Sequence, residues 1–426
     1  MEEQNEIRGS GQRRYVSTGG RRRGGSGFLP GVLVGILIAV IAVGILFALR
    51  GGSSMPMIGA GTSTDGLAVD DATVQKLKVL EQYIDYYFYK SSEVTDEQLE
   101  NGMYKGLLNS LDDVYTCYFT PEEYQSIKQQ TEGIYYGIGA YVSKDVESGM
   151  CVISGVIKGT PAEAGGLMEG DIIYKVDGKD MAGMELEEVV AHIKGEEGSK
   201  VKVTLIRNGE EIVVELTRAK VSAPTVDSEM LEGGIGYLQI TQFDDVTTKQ
   251  FSDNLASLKT QGLEGLIIDL RGNPGGNVTT VCAIAEQFLP EGLIFYMEDK
   301  NGTRTEYTCK GANWDLPLVV LVNEYSASAS EIFSGAVKDA GIGKLVGKKT
   351  YGKGVVQNLI PFEDGSAIKI TVANYYTRGG NDINLKGIEP DVEIGLDSEA
   401  YLEDGTDTQL DKAVEVMKEE MASRSK

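Results

Sequence analysis

The hydrophobic and polar positions of this chain follow several successive patterns, and the first of them is unbroken. Residues 28–49 contain no charged side chain and are rich in Val, Ile and Leu. At a rise of about 1.5 Å per residue, a run of this length can span a hydrocarbon layer of roughly 30 Å. A cleaved signal peptide, the alternative, has a shorter apolar region of about 7–15 residues that ends in small residues. We therefore expect residues 28–49 to form an uncleaved transmembrane signal anchor.

The spacing then changes to the three- and four-residue recurrence that predicts helices. A Gly/Ser-rich stretch, residues 50–73, is typical of a flexible linker and separates this part from the anchor. A first helix is predicted from Val74 and a second over 96–107 with Thr95 as its cap. A third begins at Pro121, with Thr120 as its cap. Residues 74–131 are thus expected to form a helical segment.

Residues 132–220 combine glycine turns with short strand-like runs and resemble a PDZ domain. The resemblance rests on the segments 136–141, 159–167 and 170–178. It implies that a glycine-containing loop holds a peptide carboxylate through backbone N–H groups, while an edge strand binds the tail by β-augmentation. That loop would consist of Tyr136, Gly137, Ile138 and Gly139. A β-rich spacer with a blocked groove is the structural alternative.

Beyond residue 220, strands and helices alternate, which predicts an α/β core over residues 221–400. The strands are predicted at 234–240, 265–270 and 317–323. Helical patterns lie near 249–258 and after Ser330, and residues 401–426 contain a last amphipathic helix at 408–423. The predicted fold class is therefore a multidomain α/β protein, with an N-terminal transmembrane helix, a helical segment and a PDZ domain before the core.

The charge distribution predicts how the anchor is oriented in a membrane, and it excludes nucleic acids as partners. Residues 1–27 carry more arginine than glutamate. Because positive charge is retained on the cytoplasmic side of a membrane, they should be a cytoplasmic basic tail, with everything after Arg50 extracytoplasmic. The formal net charge is −24, so the remainder is acidic and repels nucleic acid, and we expect no nucleic-acid partner.

Candidate chemistry centres on the serine-rich run 326–331 and on Lys353. The chain has only one histidine, His192, which lies near the end of a predicted PDZ helix and is interpreted as partly exposed and structural. Serine hydrolysis would therefore need a lysine base. A lysine acts as a base only as a neutral amine, so burial must lower its pKa from about 10.4. From spacing alone, a capped helix and an ordinary loop lysine remain the simpler interpretation.

Several motifs in order resemble the carboxyl-terminal processing peptidases, also called tail-specific proteases, over essentially everything after Val74. The motifs are 323–332, 350–357, 269–276, 365–371, 373–377 and 386–392. The resemblance implies a serine-protease core of the tail-specific type (ClpP/crotonase-like). It further implies Ser328 as nucleophile, Lys353 as general base and Gln357 as the residue that positions the lysine.

The same resemblance implies an oxyanion hole made of the backbone N–H groups of Ala329 and Gly275, with Gly276 as the alternative glycine. Ser326 and Ser330 are rival nucleophiles in the same run, and Glu324-Tyr325 departs from the small residues usual before it. In that family the N-terminal helices often make dimer contacts, so a homodimer is one interpretation and simple packing another.

The predicted function is a membrane-anchored, extracytoplasmic serine endopeptidase that recognises apolar C-terminal tails of protein or peptide substrates. Alternatives are a non-catalytic PDZ adaptor and an envelope acyl hydrolase or amidase on the same fold. No metal or cofactor is expected, because the four cysteines and the single histidine lack metal-ligand spacing. The pairing state of the cysteines is left open.

Overall fold

The computed structural model of the protein describes residues 69–145, 148–312 and 314–424. Within these ranges, no helix is both long enough and apolar enough to cross a membrane. The predicted anchor at 28–49 and the basic tail before it lie outside the described residues.

The N-terminal part of the described chain is helical, as predicted. Its elements are α1 (Asp71–Tyr87), a 3-10 turn (Ser91–Glu93), α2 (Asp96–Asn109), the short strand β1 (Cys117–Phe119) and α3 (Pro121–Glu132). Thr95 and Thr120 accept the N–H groups of the residues three positions later, whose side chains bond back to them. Both capping predictions are therefore confirmed. Strand β1 was not predicted.

The PDZ region contains a six-stranded antiparallel sheet and two helices. Its strands are β2 (Ile134–Gly137), β3 (Ala140–Lys144), β4 (Cys151–Val156), β5 (Ile172–Val176), β6 (Lys179–Asp180), β7 (Lys200–Arg207), β8 (Glu210–Thr217) and β9 (Ala219–Ser222). Its helices are α4 (Pro161–Ala164) and α5 (Leu186–Ile193). The sheet order is β3-β4-β5-β7-β8 with β6 beside β5, and β2 pairs with β9 separately. Strand β3 is thus an edge strand.

The α/β core is built on a largely parallel sheet. Its strands are β10 (Val226–Leu231), β11 (Ile235–Ile240), β12 (Gly265–Asp269), β15 (Leu318–Val322), β16 (Lys344–Gly347) and β19 (Val392–Glu393), in that order. Every residue of β12 and β15 is buried, which explains their continuous apolar sequence. The core helices are α6 (Thr247–Thr260), α7 (Val278–Ala285), α8 (Ala329–Ala340), α9 (Ser398–Asp404) and α10 (Thr408–Arg424).

A second, antiparallel sheet completes the core. Its strands are β13 (Gly292–Asp299), β14 (Arg304–Cys309), β17 (Val355–Pro361) and β18 (Ala367–Thr377), together with β1. Strand β18 pairs with β1, β13 and β17. The helical segment therefore contributes a strand to the same sheet that carries the region after Lys353.

Candidate active site

Ser328 lies at a sharp turn between β15 and α8. Its backbone has φ 54° and ψ −113°, a left-handed conformation that a residue with a Cβ adopts only at an energetic cost. Two hydrogen bonds hold it there. The Ser328 N–H donates to Glu331 Oε2 at 2.9 Å, and the Tyr375 hydroxyl donates to the Ser328 carbonyl at 3.0 Å.

The hydroxyls of the two neighbouring serines have structural roles. Ser326 Oγ donates to the Leu270 carbonyl at 2.8 Å, and Ser330 Oγ donates to the Asn273 carbonyl at 3.0 Å. Both residues are fully buried, whereas Ser328 retains 8% exposure. These bonds join the serine turn to the glycine turn after β12, and they disfavour Ser326 and Ser330 as nucleophiles.

Glu331 connects the serine turn to the lysine loop. Its carboxylate accepts hydrogen bonds from the backbone N–H groups of Ser328, Gly352 and Lys353 at 2.9, 2.7 and 2.8 Å, and from Thr350 Oγ1 at 2.6 Å. Burial raises the pKa of Glu331, and these four bonds oppose the rise. Glu331 belongs to the motif 323–332, but the sequence predicted no role for it. Its acidic position in the first turn of a helix was the available signal.

The Lys353 side chain is buried in the protein interior. The residue is 1% exposed, and its Nζ has no hydrogen-bond partner among the described residues. The nitrogen lies 4.6 Å from the centroid of the Tyr115 ring. Burial, aided by the positive charge of Lys369 and opposed by Glu331 and Asp113, lowers the pKa of Lys353 to about 7. A neutral amine is therefore available near neutral pH.

Gln357 lies on β17, four residues after Lys353 in the sequence, and is fully buried. Its Nε2 donates to Thr371 Oγ1 at 3.2 Å, and its Oε1 has no partner in the described part of the chain. The hydrogen bond expected from the Lys353 amine to this amide is not formed in this structure. A buried donor and a buried acceptor thus both lack a partner in one motif, which is uncommon in protein interiors.

The glycine turn after β12 packs directly on the serine turn. A Cβ built on Gly275 would lie 2.8 Å from the Ala327 oxygen and 2.9 Å from the Ala329 nitrogen. Only glycine fits this contact, and Gly275 also has φ +107°. The structure thus brings Gly275 and Ala329 together, as expected. The Gly275 N–H donates to Asn273 Oδ1 at 2.8 Å, so Gly276, with φ +142°, stays an alternative donor.

A groove of about 570 Å³ runs beside this region between the two hairpins of the antiparallel sheet. Apolar side chains such as Val278 of α7, Val356 of β17 and Met297 of β13 line it together with polar ones such as Asn301 and Asn358. The groove lies next to the Lys353–Gln357 segment in sequence, through Val356.

The predicted carboxylate loop of the PDZ region lines a second cavity of about 370 Å³. Tyr136, Gly137, Ile138 and Gly139 all line it, together with Val190 of α5. Tyr136 and Gly137, however, belong to β2 and pair with β9, so only the second half of the predicted loop lies outside a strand. Gly139 has φ +81°, and a Cβ there would lie 2.3 Å from Thr160 Cβ. Residues of the edge strand β3 and of α5 both line this cavity, so the blocked-groove alternative is not favoured.

The remaining candidate residues lie away from this chemistry. His192 is partly buried on α5, and its Nε2 lies 3.0 Å from Lys179 Nζ of the PDZ sheet. Cys117, Cys151, Cys282 and Cys309 are all free thiols. Burial raises the pKa of the Cys282 thiol to about 12, which makes it unreactive.

Comparisons with known proteins identify the family of this chain and its domains. The profile of Peptidase family S41 matches residues 234–394, and that of the PDZ domain matches residues 125–206. The carboxy-terminal processing protease CtpA of Bacillus subtilis (strain 168) is 37% identical over 86% of this chain and 77% of its own length. The carboxyl-terminal-processing protease of Synechocystis is 37% identical over 73% and 75%.

Among solved structures, the photosystem II D1 C-terminal processing protease aligns with a TM-score of 0.45 and 30% identity, over 77% of this chain and 94% of that protein. The sequence matches to the curated relatives extend well beyond the catalytic core into the PDZ region and the helical segment. This chain belongs to peptidase family S41 and is a PDZ-containing, serine-type carboxyl-terminal processing protease.

Proposed function

We propose that this peptidase cleaves its substrates with a Ser328–Lys353 dyad. The observation that carries the proposal is the buried, unpartnered Lys353 amine, whose loop is fixed to the Ser328 turn through the Glu331 carboxylate. The low pKa of Lys353, about 7, makes proton acceptance possible under ordinary conditions.

In the proposed reaction, Ser328 Oγ attacks the scissile carbonyl carbon and transfers its proton to Lys353 Nζ. The N–H groups of Ala329 and of Gly275 or Gly276 stabilise the oxyanion, an effect worth about 3–4 kcal/mol per donor in other enzymes. The Lys353 ammonium then protonates the leaving amine as the peptide bond breaks. Water, deprotonated by Lys353, hydrolyses the acyl-enzyme and restores Ser328.

Substrate capture is assigned to the PDZ groove. An apolar C-terminal tail would add to the edge strand β3, and its carboxylate would meet the backbone N–H groups of residues 136–139. Support comes from the open 370 Å³ cavity and from the apolar side chains Val190 and Ile193 that line it. Binding of the tail would position the preceding residues of the substrate so that they extend toward Ser328.

We further propose that the enzyme is anchored in the cell membrane with its catalytic part outside the cytoplasm. The support is the charge-free run 28–49 behind the arginine-rich residues 1–27. Membrane fractionation, followed by protease accessibility of the catalytic part in intact and in opened cells, tests this placement. Recovery of the full chain in the soluble fraction would refute it.

A homodimer is proposed on the basis of α1. This helix has no buried residue, and it exposes Leu77, Leu80, Tyr83 and Tyr87 along its length. Apolar side chains in this number normally contact another surface. Analytical ultracentrifugation of the parent and of a Leu80→Glu/Tyr83→Glu variant should show a dimer and a monomer respectively; identical masses would refute the assignment.

The dyad is tested with the full chain in detergent and an unfolded protein substrate that ends in apolar residues. Cleavage should be lost in Ser328→Ala and in Lys353→Ala, whereas Ser252→Ala and Lys344→Ala, both at exposed positions, should cleave normally. Retained cleavage in either dyad variant would overturn the proposed mechanism. A substrate with the same body and a charged tail should be cleaved more slowly if the PDZ groove selects apolar tails.

A further inference from the structure

A second buried lysine lies beside the proposed catalytic centre. Lys369 lies near the start of β18 and is 1% exposed. It belongs to the motif 365–371, for which the proposed mechanism has no role. Full burial of a lysine is rare unless its ammonium group has partners.

The partners of Lys369 come from the N-terminal segment. In the antiparallel pairing of β1 with β18, Cys117 lies directly opposite Lys369, and the Cys117 thiol is its side-chain hydrogen-bond partner. Lys369 Nζ also lies 5.4 Å from the centroid of the Phe119 ring. These contacts fix the position of the ammonium group.

Two hydrogen bonds link the strand that carries Lys369 to the N-terminal segment and to the catalytic motif. Thr371, two residues along the same face of β18, donates its N–H to Thr116 Oγ1 at 3.1 Å, and its own Oγ1 accepts from Gln357 Nε2 at 3.2 Å. Two residues along a strand span only about 7 Å. The positive charge of Lys369 is among the causes that lower the pKa of Lys353, as expected for two charges that interact through a weakly polarisable interior.

We propose that Lys369 is a positioning residue for the reaction, whose positive charge opposes protonation of Lys353 and so keeps the base in its amine form. This inference rests on the proposed function, because it presupposes Lys353 as the base. The charged and titratable groups around the two lysines are Glu331 from α8, Asp113, Tyr115 and Cys117 from the segment leading into β1, and Tyr375 from β18. Asp113 and Glu331 oppose the effect of Lys369, and no second cation is among these groups.

The test is the pH dependence of kcat/KM for the full chain, with Lys369→Met beside the parent. Loss of the Lys369 charge should move the acidic limb of the profile upward by about one pH unit. This is the size expected for a unit charge about 10 Å away at an effective dielectric constant of about 20. At pH 7 the rate should fall roughly fivefold, and it should recover to the parent value above the shifted limb.

A purely structural role predicts something different, namely an equal loss of rate at every pH, and that result would overturn the proposal. An unshifted limb would do so as well. Lys369→Arg keeps the charge and should keep the limb at its parent position, and the exposed Lys344→Met controls for the change in net charge. If Lys369→Met does not fold, Lys369→Gln is measured in its place with the same expectations.

The rate at which a serine-reactive fluorophosphonate inactivates each variant provides a second readout that needs no PDZ binding. Its pH limb should shift in parallel with that of kcat/KM. Lys353→Ala is examined first, because a pH limb that survives this substitution would refute the dyad itself. A limb that depends on Lys353 but ignores Lys369 would refute only the present inference.

Discussion

Replacing Lys353 by methionine is expected to abolish cleavage and, at the same time, to stabilise the folded protein. Methionine has a similar length to the lysine stem and lacks the amine. The substitution therefore removes a nitrogen that is buried without a hydrogen-bond partner among the described residues. Burial lowers the pKa of Lys353 from 10.5 to about 7. At neutral pH this side chain therefore binds a proton more weakly in the folded protein than in the unfolded chain.

The sign and size of the effect follow from proton linkage. Between pH 10.5 and about 7 the unfolded chain binds more protons than the folded protein, so this lysine makes the parent less stable as the pH falls. At about 1.4 kcal/mol per pKa unit, the full penalty is roughly 4–5 kcal/mol, and it is reached below about pH 7. Lys353→Met should therefore be more stable by roughly that amount near neutral pH and by nearly nothing at the alkaline end.

The assay is urea unfolding of the full chain in detergent, followed by circular dichroism at several pH values. Both proteins carry Ser328→Ala so that autolysis does not interfere. Lys344→Met, at the exposed start of β16, serves as the matched control and should show a difference that does not change with pH. A Lys353→Met protein that is destabilised at neutral pH, or whose advantage is constant with pH, would refute a buried neutral amine.

Three further substitutions test other parts of the structure. Glu331→Gln replaces an acceptor of four hydrogen bonds by an amide, whose NH2 group cannot accept them. The substitution should lower the free energy of unfolding by roughly 2–3 kcal/mol and reduce kcat at least tenfold. An unchanged kcat would refute the role of Glu331 in fixing the turn. Gly139→Val should weaken binding of a fluorescent apolar-tail peptide at least tenfold, because Thr160 occupies the space of its Cβ, while fluorophosphonate labelling of Ser328 continues. Arg271→Ala leaves Asp269 and Asp407 without their shared cation and should cost roughly 3–5 kcal/mol in urea unfolding; a loss below about 1 kcal/mol would contradict that estimate.

Local signals in the sequence predicted most of the fold. The capping residues Thr95 and Thr120 identified two helix starts, because a cap and its partner lie three residues apart in the chain. Continuous apolar runs identified β12 and β15, because both faces of these strands are covered. Strand β1 was missed, since three residues give no periodicity and its partner on β18 lies far away in the sequence.

Some residues of the candidate site were also predicted from the sequence, and others were not. Motif resemblance pointed to Ser328, Lys353 and Gln357, and the glycine contact with Ala329 agrees with the expected neighbourhood. The function of Glu331 did not follow from its motif, because its four donors come from two separate loops. Tyr115 and Lys369 were also missed. The contact of Tyr115 with Lys353 and that of Lys369 with Cys117 join parts of the chain that are far apart in sequence.

The distribution of unfavourable local structure is itself an argument for where the chemistry occurs. Ser328 has a strained backbone, Lys353 Nζ and Gln357 Oε1 are buried without partners, and the pKa of Lys353 is far below its ordinary value. Each feature lowers stability, and all three belong to the elements that Glu331 and the β1–β18 pairing hold in place. A core selected only for stability would fill these positions with apolar or fully bonded side chains. Two of the five buried side-chain polar atoms without a hydrogen-bond partner in the described residues belong to the Lys353–Gln357 segment, and Glu331 joins this segment to the strained backbone of Ser328. The proposed dyad requires this arrangement, because in the proposed reaction the substrate supplies the partner.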